Sequence, residues 1–531
     1  MGTFESSQKP RSLADDFRMR TDEELAHLLR HRSDLMNPPP AGISELAVNA
    51  SSASSIADAI ASLNSPELAI AEVIAALPDG TDANSIHAAL KRTPGYEQVP
   101  VTHAIQSLWK LGILWGSHNA VHLVRSAREF FGGYPCGLAP ELVNTRLSLR
   151  KFVEDESLIF ELLDNAPVGV REIIADMLWT NPRGSYPNAL KRIPSKNPQS
   201  PVEWLLVNEL LIATDESTVV LPREVALPIR QHQLLKELDC QPPAISIDTS
   251  TSTQRDADGI HRALEFIQSV ELAMNAIDRH SLSTLKTGGI SHREFDRLRS
   301  TVPVSRETLA LSLELAFHAG FLSFDELSGW SITTKFQDWL THEDATRWNT
   351  LVSIWRNSMQ TSRLGSDEKV RVLQSSPANT SEFEWKRTLL EAITTIAPGE
   401  KIDHENFVKF IQWQRPRAFN TSKLSLASEF LADLELLGVT YLQTMTESGF
   451  QSLTDAFDTE TFTNNMPSHV DYIIVQADLT ALSPGRLPIE HRQFLQRIAE
   501  IESASVATTY RFTPGSILHG IETGLSADEI L

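Results

Sequence analysis

Three runs in the sequence place basic side chains close together. "LKRIPSKNP" carries Lys191, Arg192 and Lys196. "LKTGGISHREFDRLR" carries Lys286, Arg293, Arg297 and Arg299. "KFIQWQRPRAFNTSK" carries Lys409, Trp413, Arg415, Arg417 and Lys423, with Phe410 and Phe419 interleaved. Ammonium and guanidinium groups displace the counterions of a phosphate backbone. Aromatic faces set between them offer platforms on which unpaired bases stack. The chemistry these runs allow is non-covalent DNA binding. Their other reading is a solvated helix face over core aromatics.

Bond-making chemistry has no such foothold. The sequence contains no G-x-x-x-x-G-K-[ST] phosphate loop and no G-x-G-x-x-G fingerprint. It also lacks a G-x-S-x-G nucleophile elbow and a kinase signature set. Acidic pairs such as Asp15-Asp16 and Glu23-Glu24 sit in charged helical faces. Cys136 and Cys240 are too far apart for a C-x-x-C metal knuckle, and their scarcity suits a reducing cytoplasm. The expectation is therefore no catalytic residue, no metal, no cofactor and no enzyme. Net charge is −21, from 47 basic and 68 acidic residues. Any grip on nucleic acid must be local and act against that background. No apolar run approaches a membrane span of about 20 residues, so a cytoplasmic protein without a membrane partner is expected.

The elements that would position these side chains recur. An amphipathic helix runs into a short alternating ribbon at Thr102–Val124, Pro201–Pro222, Thr308–Thr333 and Ser428–Thr454. The starts fall roughly every 100–120 residues, a domain spacing rather than a solenoid period. Shorter helices precede the first two, at Glu67–Leu77, Ala83–Leu90, Ser157–Leu163 and Val170–Met177. Three helices and a two-stranded wing make a winged helix. The predicted fold is thus mainly α with small β wings: tandem winged-helix domains followed by a small α+β module. The expected boundaries are a helical segment 1–62, winged helices 63–135 and 136–238, a linker 239–258, winged helices 259–345 and 346–457, a linker 458–469 and the module 470–531. In winged helices the third helix reads DNA. The first copy offers His103, Gln106 and Lys110 there; the second offers Glu203, Asn208 and Glu209, and the fourth Glu429, Asp433 and Glu435. Carboxylates repel phosphates, so the second and fourth copies read as protein-contact or structural modules.

The module ends "YRFTPGSILHGIETGLSADEIL". Thr513-Pro514 predicts a helix start and Gly524 its stop. Ser526 and Glu529 have capping-box spacing, so a second helix opens just before Leu531. That ending reads as a truncated longer chain, or as a natural end with a frayed last turn. The strand ending Tyr510-Arg511-Phe512-Thr513, then Ser516-Ile517-Leu518, Gly524-Leu525 and Glu529-Ile530, resembles the N-terminal, damage-recognition-like domain of XPB-type repair and transcription helicases. Val475-Gln476-Ala477-Asp478-Leu479-Thr480 strengthens the likeness. The order of segments is similar to bacterial helicase-associated proteins that carry this domain behind winged helices. "LADDFRMRTDEELAHLLRHRSDLMNPPPA", Ser283–Leu298 and Arg347–Trp355 extend that match over most of the chain. Helicases of this type hydrolyse ATP with two RecA-like motors. With no phosphate loop and no D-E-x-H box here, the resemblance implies a DNA-binding, repair or transcription accessory protein. Its partners would be single-stranded or branched DNA and a separate helicase or nuclease. The alternative is a protein-interaction scaffold using acidic and apolar winged-helix faces.

Overall fold

The computed structural model describes residues 10–191, 198–247, 253–279, 282–283, 285, 289–325, 329–358, 372–373, 380–504 and 507–530. Arg192, Lys196 and Lys286 lie outside the described residues. Among those described, helices dominate and all five sheets are small and antiparallel, so the fold is mainly α with short β ribbons. No helix among them is long and apolar enough to cross a membrane. The chain divides into two units. One comprises 1–242 together with 412–419, the other 243–411 together with 420–531.

In the first unit a hydrophobic core runs from Leu13 to Cys240. The helices Ser65–Ala76, Ala83–Leu90 and Gln98–Lys110 lead into the hairpin of Leu114–Ser117 and Ala120–Leu123. The turn falls at 118–119. Asn64 and Glu67 form a capping box at the first helix, and Asp82 caps the second. Two arginines from the N-terminal helices close the far end of the third. Arg20 donates to the carbonyls of Trp109 and Lys110, and Arg32 donates to that of Leu111. Helix C-terminal carbonyls lack intrahelical partners and carry partial negative charge, so buried guanidinium groups satisfy both needs. Further along, Ser157–Asp164, Val170–Leu178 and Pro201–Val207 accompany a three-stranded sheet, with Thr218–Val220 between Arg183–Ser185 and Ile212–Ala213.

The second unit is built on the 27-residue helix Thr253–Arg279. Its start falls inside the stretch expected as a linker. Ser246–Ile247, also in that stretch, pairs with Lys401–Ile402 in a four-stranded sheet completed by Thr440–Tyr441 and Thr444–Met445. The helix Arg306–His318 is buried on every side from Leu309 to Ala316, including Ser312 and Glu314. Helix Asp344–Asn357 buries Arg347, Trp348, Leu351, Val352 and Trp355. The Trp348 indole donates to the Leu437 carbonyl (2.7 Å) and that of Trp355 to Asp433 (2.8 Å). Gly438 closes helix Thr421–Leu436 at φ +73, where an added Cβ would sit 2.4 Å from the Gly259 carbonyl oxygen. Only glycine allows that backbone approach.

Candidate nucleic-acid interface and the C-terminal module

On helix Gln98–Lys110 the residues Val99, His103, Gln106 and Lys110 are exposed, while Val101, Ala104 and Leu108 are buried. Spacings of four, three and four put the first set along one stripe. The other three candidate reading helices differ. Arg306–His318 offers no free face. In the second copy the Glu209 carboxylate accepts from Lys151 at 2.6 Å. Burial would raise its pKa, but bonds from Lys151 and Ser148 outweigh that and hold it below the usual range. In the fourth copy Asp433 is buried against Trp355. Glu435 accepts from the Thr440 hydroxyl and from the backbone N–H groups of Leu442 and Gln443, so it clamps the hairpin turn.

The basic runs are dispersed over separate elements. Arg293, Arg297 and Arg299 all lie exposed on helix His292–Thr301, but Arg297 pairs with Glu294 (2.7 Å), and Arg299 faces away from the Arg293–Arg297 side. Lys409 pairs with Glu405 at 2.7 Å and Lys423 approaches the Trp385 ring. Trp413, Arg415 and Arg417 belong to the other unit. There the Trp413 indole donates to the Asp239 carbonyl (2.9 Å), Arg415 donates to that of Ser62, and Arg417 lies over the Phe130 ring. Lys191 is exposed on a cleft of about 270 Å³ that Arg146, Ser148 and Glu209 also line. Arg146 is a cation that sequence reasoning passed over, because its neighbours carry no aromatic or second charge within two residues.

The C-terminal module has its own core of Ala481, Leu487, Leu495, Ile498, Ala499 and Tyr510. Its sheet runs in the order Ile474–Val475, Thr480–Ser483, Thr508–Arg511, Glu500–Ala504, all antiparallel. Helices Ile489–Ile498 and Pro514–Glu522 pack together, close enough that a Cβ on Gly520 would meet Ile498 at 2.8 Å. Thr513 and Ser516 cap the second helix reciprocally, Gly524 sits at φ +95, and Ser526 and Glu529 bond each other's backbone N–H. Ile501 lies three residues beyond Ile498, a helical spacing, yet it sits in a strand opposite Tyr510. Residues 480–483 form a strand paired with Thr508–Arg511.

A buried charge cluster ties this module to the long helices of its unit. Arg486 and Arg492 come from the module, Glu271 from Thr253–Arg279, and Asp344 and Arg347 from Asp344–Asn357. Arg347 pairs with Glu271 and, at 3.0 Å, with Asp344. Arg486 pairs with Asp344, and Arg492 lies 3.4 Å from Glu271. Gln496 donates to Glu271 (3.3 Å), and the Arg347 guanidinium stacks on Trp339 at 4.0 Å. Three guanidinium groups thus meet two carboxylates. Burial alone would push the Glu271 carboxyl up; Arg492 and Arg347 outweigh it and hold it below its usual range. Burial lowers Arg347 and Arg486, and repulsion from Arg492 adds to it at both. None of these residues belongs to a basic run, since the partners come from segments far apart in the chain.

Among the described residues no group of three or more His, Cys, Asp or Glu side chains could hold a metal ion. Residues 473–531 match the family model described as a helicase conserved C-terminal domain. A comparison with curated proteins gives no match. The domain match supports a helicase-associated protein with a helicase-related role. It also corrects the expectation of a non-enzyme, because a helicase-type protein is an ATP-dependent enzyme. The reason for the error is physical: motif searches test short contiguous stretches, and a missing short motif is no ground for excluding catalysis.

Proposed function

We propose that the chain engages DNA in a helicase-type protein through the first helix-and-hairpin unit, read as a winged helix with Gln98–Lys110 as its reading helix. The observation that carries this is the exposed polar stripe of His103, Gln106 and Lys110 on a helix whose far end Arg20 and Arg32 hold fixed. Amide and imidazole groups can bond base edges, and the lysine can meet a phosphate. The remaining helix-and-hairpin units are read as spacers. The module 473–531 is read as XPB-like, placing the protein in repair or transcription alongside single-stranded or branched DNA. The scaffold alternative draws less support, since Asp433 and Glu435 are spent on internal bonds.

The test is fluorescence anisotropy of full-length protein with single-stranded, duplex and forked DNA over 50 to 200 mM salt. Lys110→Ala should weaken binding and flatten the log–log salt slope by about 0.9, the share of one phosphate contact. His103→Ala with Gln106→Ala should weaken binding about tenfold while leaving the slope unchanged. Absence of binding to every DNA form at low salt, or an unchanged slope in the Lys110 variant, would sink the proposal.

A further inference from the structure

The two edges of the module's sheet differ. Glu500–Ala504 carries Glu500 and Glu502 and has a register shift between Ile501 and Ser503. Charge and a bulge are how sheets protect an edge from further pairing. Ile474–Val475, at the other edge, has neither. Its residues are both exposed, Val475 by 67%, and Tyr472 and Leu479 extend the apolar surface at 55% and 64%. Gln476 N–H bonds the Thr480 carbonyl at 2.8 Å, and Ile474 and Val475 stand opposite Leu482 and Ala481. Antiparallel pairs alternate, so the N–H and C=O of Val475 point away from the sheet. Leu479 holds φ +63, a conformation that costs a non-glycine residue about 1 kcal/mol. Asp478, which bonds the Thr480 N–H and hydroxyl, and the Phe512 N–H on the Leu479 carbonyl fix it there. The three-residue loop 477–479 needs a left-handed residue at that place; glycine would meet the need without strain, whereas leucine adds exposed apolar surface.

We propose that this edge receives an extended segment of another protein, adding as a fifth strand, with apolar alternate residues flanked by lysine or arginine. Backbone pairing to Val475 supplies register, and Tyr472, Ile474 and Leu479 supply the apolar contact. Charge selects the occupant. Asp471 and Asp478 bracket the strand; the nearest cation in the sheet, Arg511, pairs with Glu502 at 3.0 Å and donates to the Asp478 carbonyl at 3.3 Å, so one guanidinium is shared between two acidic residues. A second copy paired antiparallel through Val475 would set Asp471 opposite Leu479 of its mate, one residue from Asp478, and so bring acidic residues together at both ends within a chain of net charge −21. Nucleic acid would meet the same acids. A cationic strand meets neither penalty.

The experiment uses full-length protein and a fluorescein-labelled peptide, Lys-Lys-Val-Thr-Val-Thr-Val-Lys-Lys, with a version carrying Glu for Lys. Binding of the lysine peptide and at least tenfold weaker binding of the glutamate peptide are expected. Val475→Pro removes only an outward N–H, which edge strands tolerate, and should weaken binding about tenfold. Leu479→Gly should also weaken it while raising the thermal midpoint, a split that a purely structural role would not produce. Failure of the lysine peptide to bind, equal binding by Val475→Pro, or a dimer or DNA complex lost in Val475→Pro would each overturn the proposal.

Discussion

Substituting Glu271 by glutamine tests how the C-terminal module is held. Glu271 is 2% exposed, accepts from Arg347 and Gln496, and faces Arg492. The amide keeps the shape and one acceptor but leaves Arg347, Arg486 and Arg492 with Asp344 as their sole carboxylate in the cluster. Removing one partner of a buried ion pair costs about 3–5 kcal/mol, because the surviving charge stays desolvated. At 1.36 kcal/mol per decade that is about two to four orders of magnitude in an opening equilibrium. Hydrogen exchange reads it locally, at the amides of Thr480–Ser483 and Thr508–Arg511 that hold the sheet. Glu271→Gln should speed exchange there by at least a hundredfold. Replacing Glu271, Arg347 and Arg492 together by methionine should restore protection to within about 1 kcal/mol of the parent, since an apolar contact needs no compensation. Exchange within a factor of two of the parent in Glu271→Gln would refute the reasoning and place the anchoring in the apolar contacts instead.

The same carboxylate gives a pH dependence. Its folded pKa lies below the unfolded value of about 4.3, so its contribution is complete above that pH and is lost as pH falls through the folded value. The stability gap between parent and Glu271→Gln should therefore shrink below about pH 4 in urea titrations; a gap as wide at pH 3 as at pH 6 would contradict this. Two glycines separate conformational cost from collision. Gly438→Ala drives a Cβ to 2.4 Å from the Gly259 oxygen and 2.7 Å from the Ala263 nitrogen, and should cost about 3 kcal/mol or more. Gly524→Ala has a positive φ but open space around it, and should cost about 1 kcal/mol. Equal thermal shifts for the two would argue against the close backbone contact.

Local signals were legible where a local interaction decides the outcome. The Thr513-Pro514 start, the Gly524 stop and the Ser526–Glu529 box each involve neighbours within four residues, and each is present. The strand Thr480–Ser483 and the strand residue Ile501 were hidden because both depend on pairing with Thr508–Arg511, and a three-residue spacing from Ile498 reads equally as helix. The basic runs show where charge is, but not which backbone carbonyl needs a donor. Arg415 and Trp413 therefore read as surface chemistry while they serve the carbonyls of Ser62 and Asp239. Glu271, Asp344 and Arg492 meet only in three dimensions, and no spacing in the chain announces them.

The segment 412–419 belongs to the first unit although that unit's other residues end at 242. During synthesis the first unit therefore waits for roughly 180 further residues, on the order of 10–40 s at ribosomal speed, before its last piece arrives. Until then the carbonyls of Ser62 and Asp239 and the exposed ring of Phe130 lack Arg415, Trp413 and Arg417. A nascent chain stalled after residue 242 should be clipped by protease near Phe130 and Asp239, and protection there should appear only once Phe419 has cleared the exit tunnel. The order in which this protein becomes whole is thus not the order in which it is written.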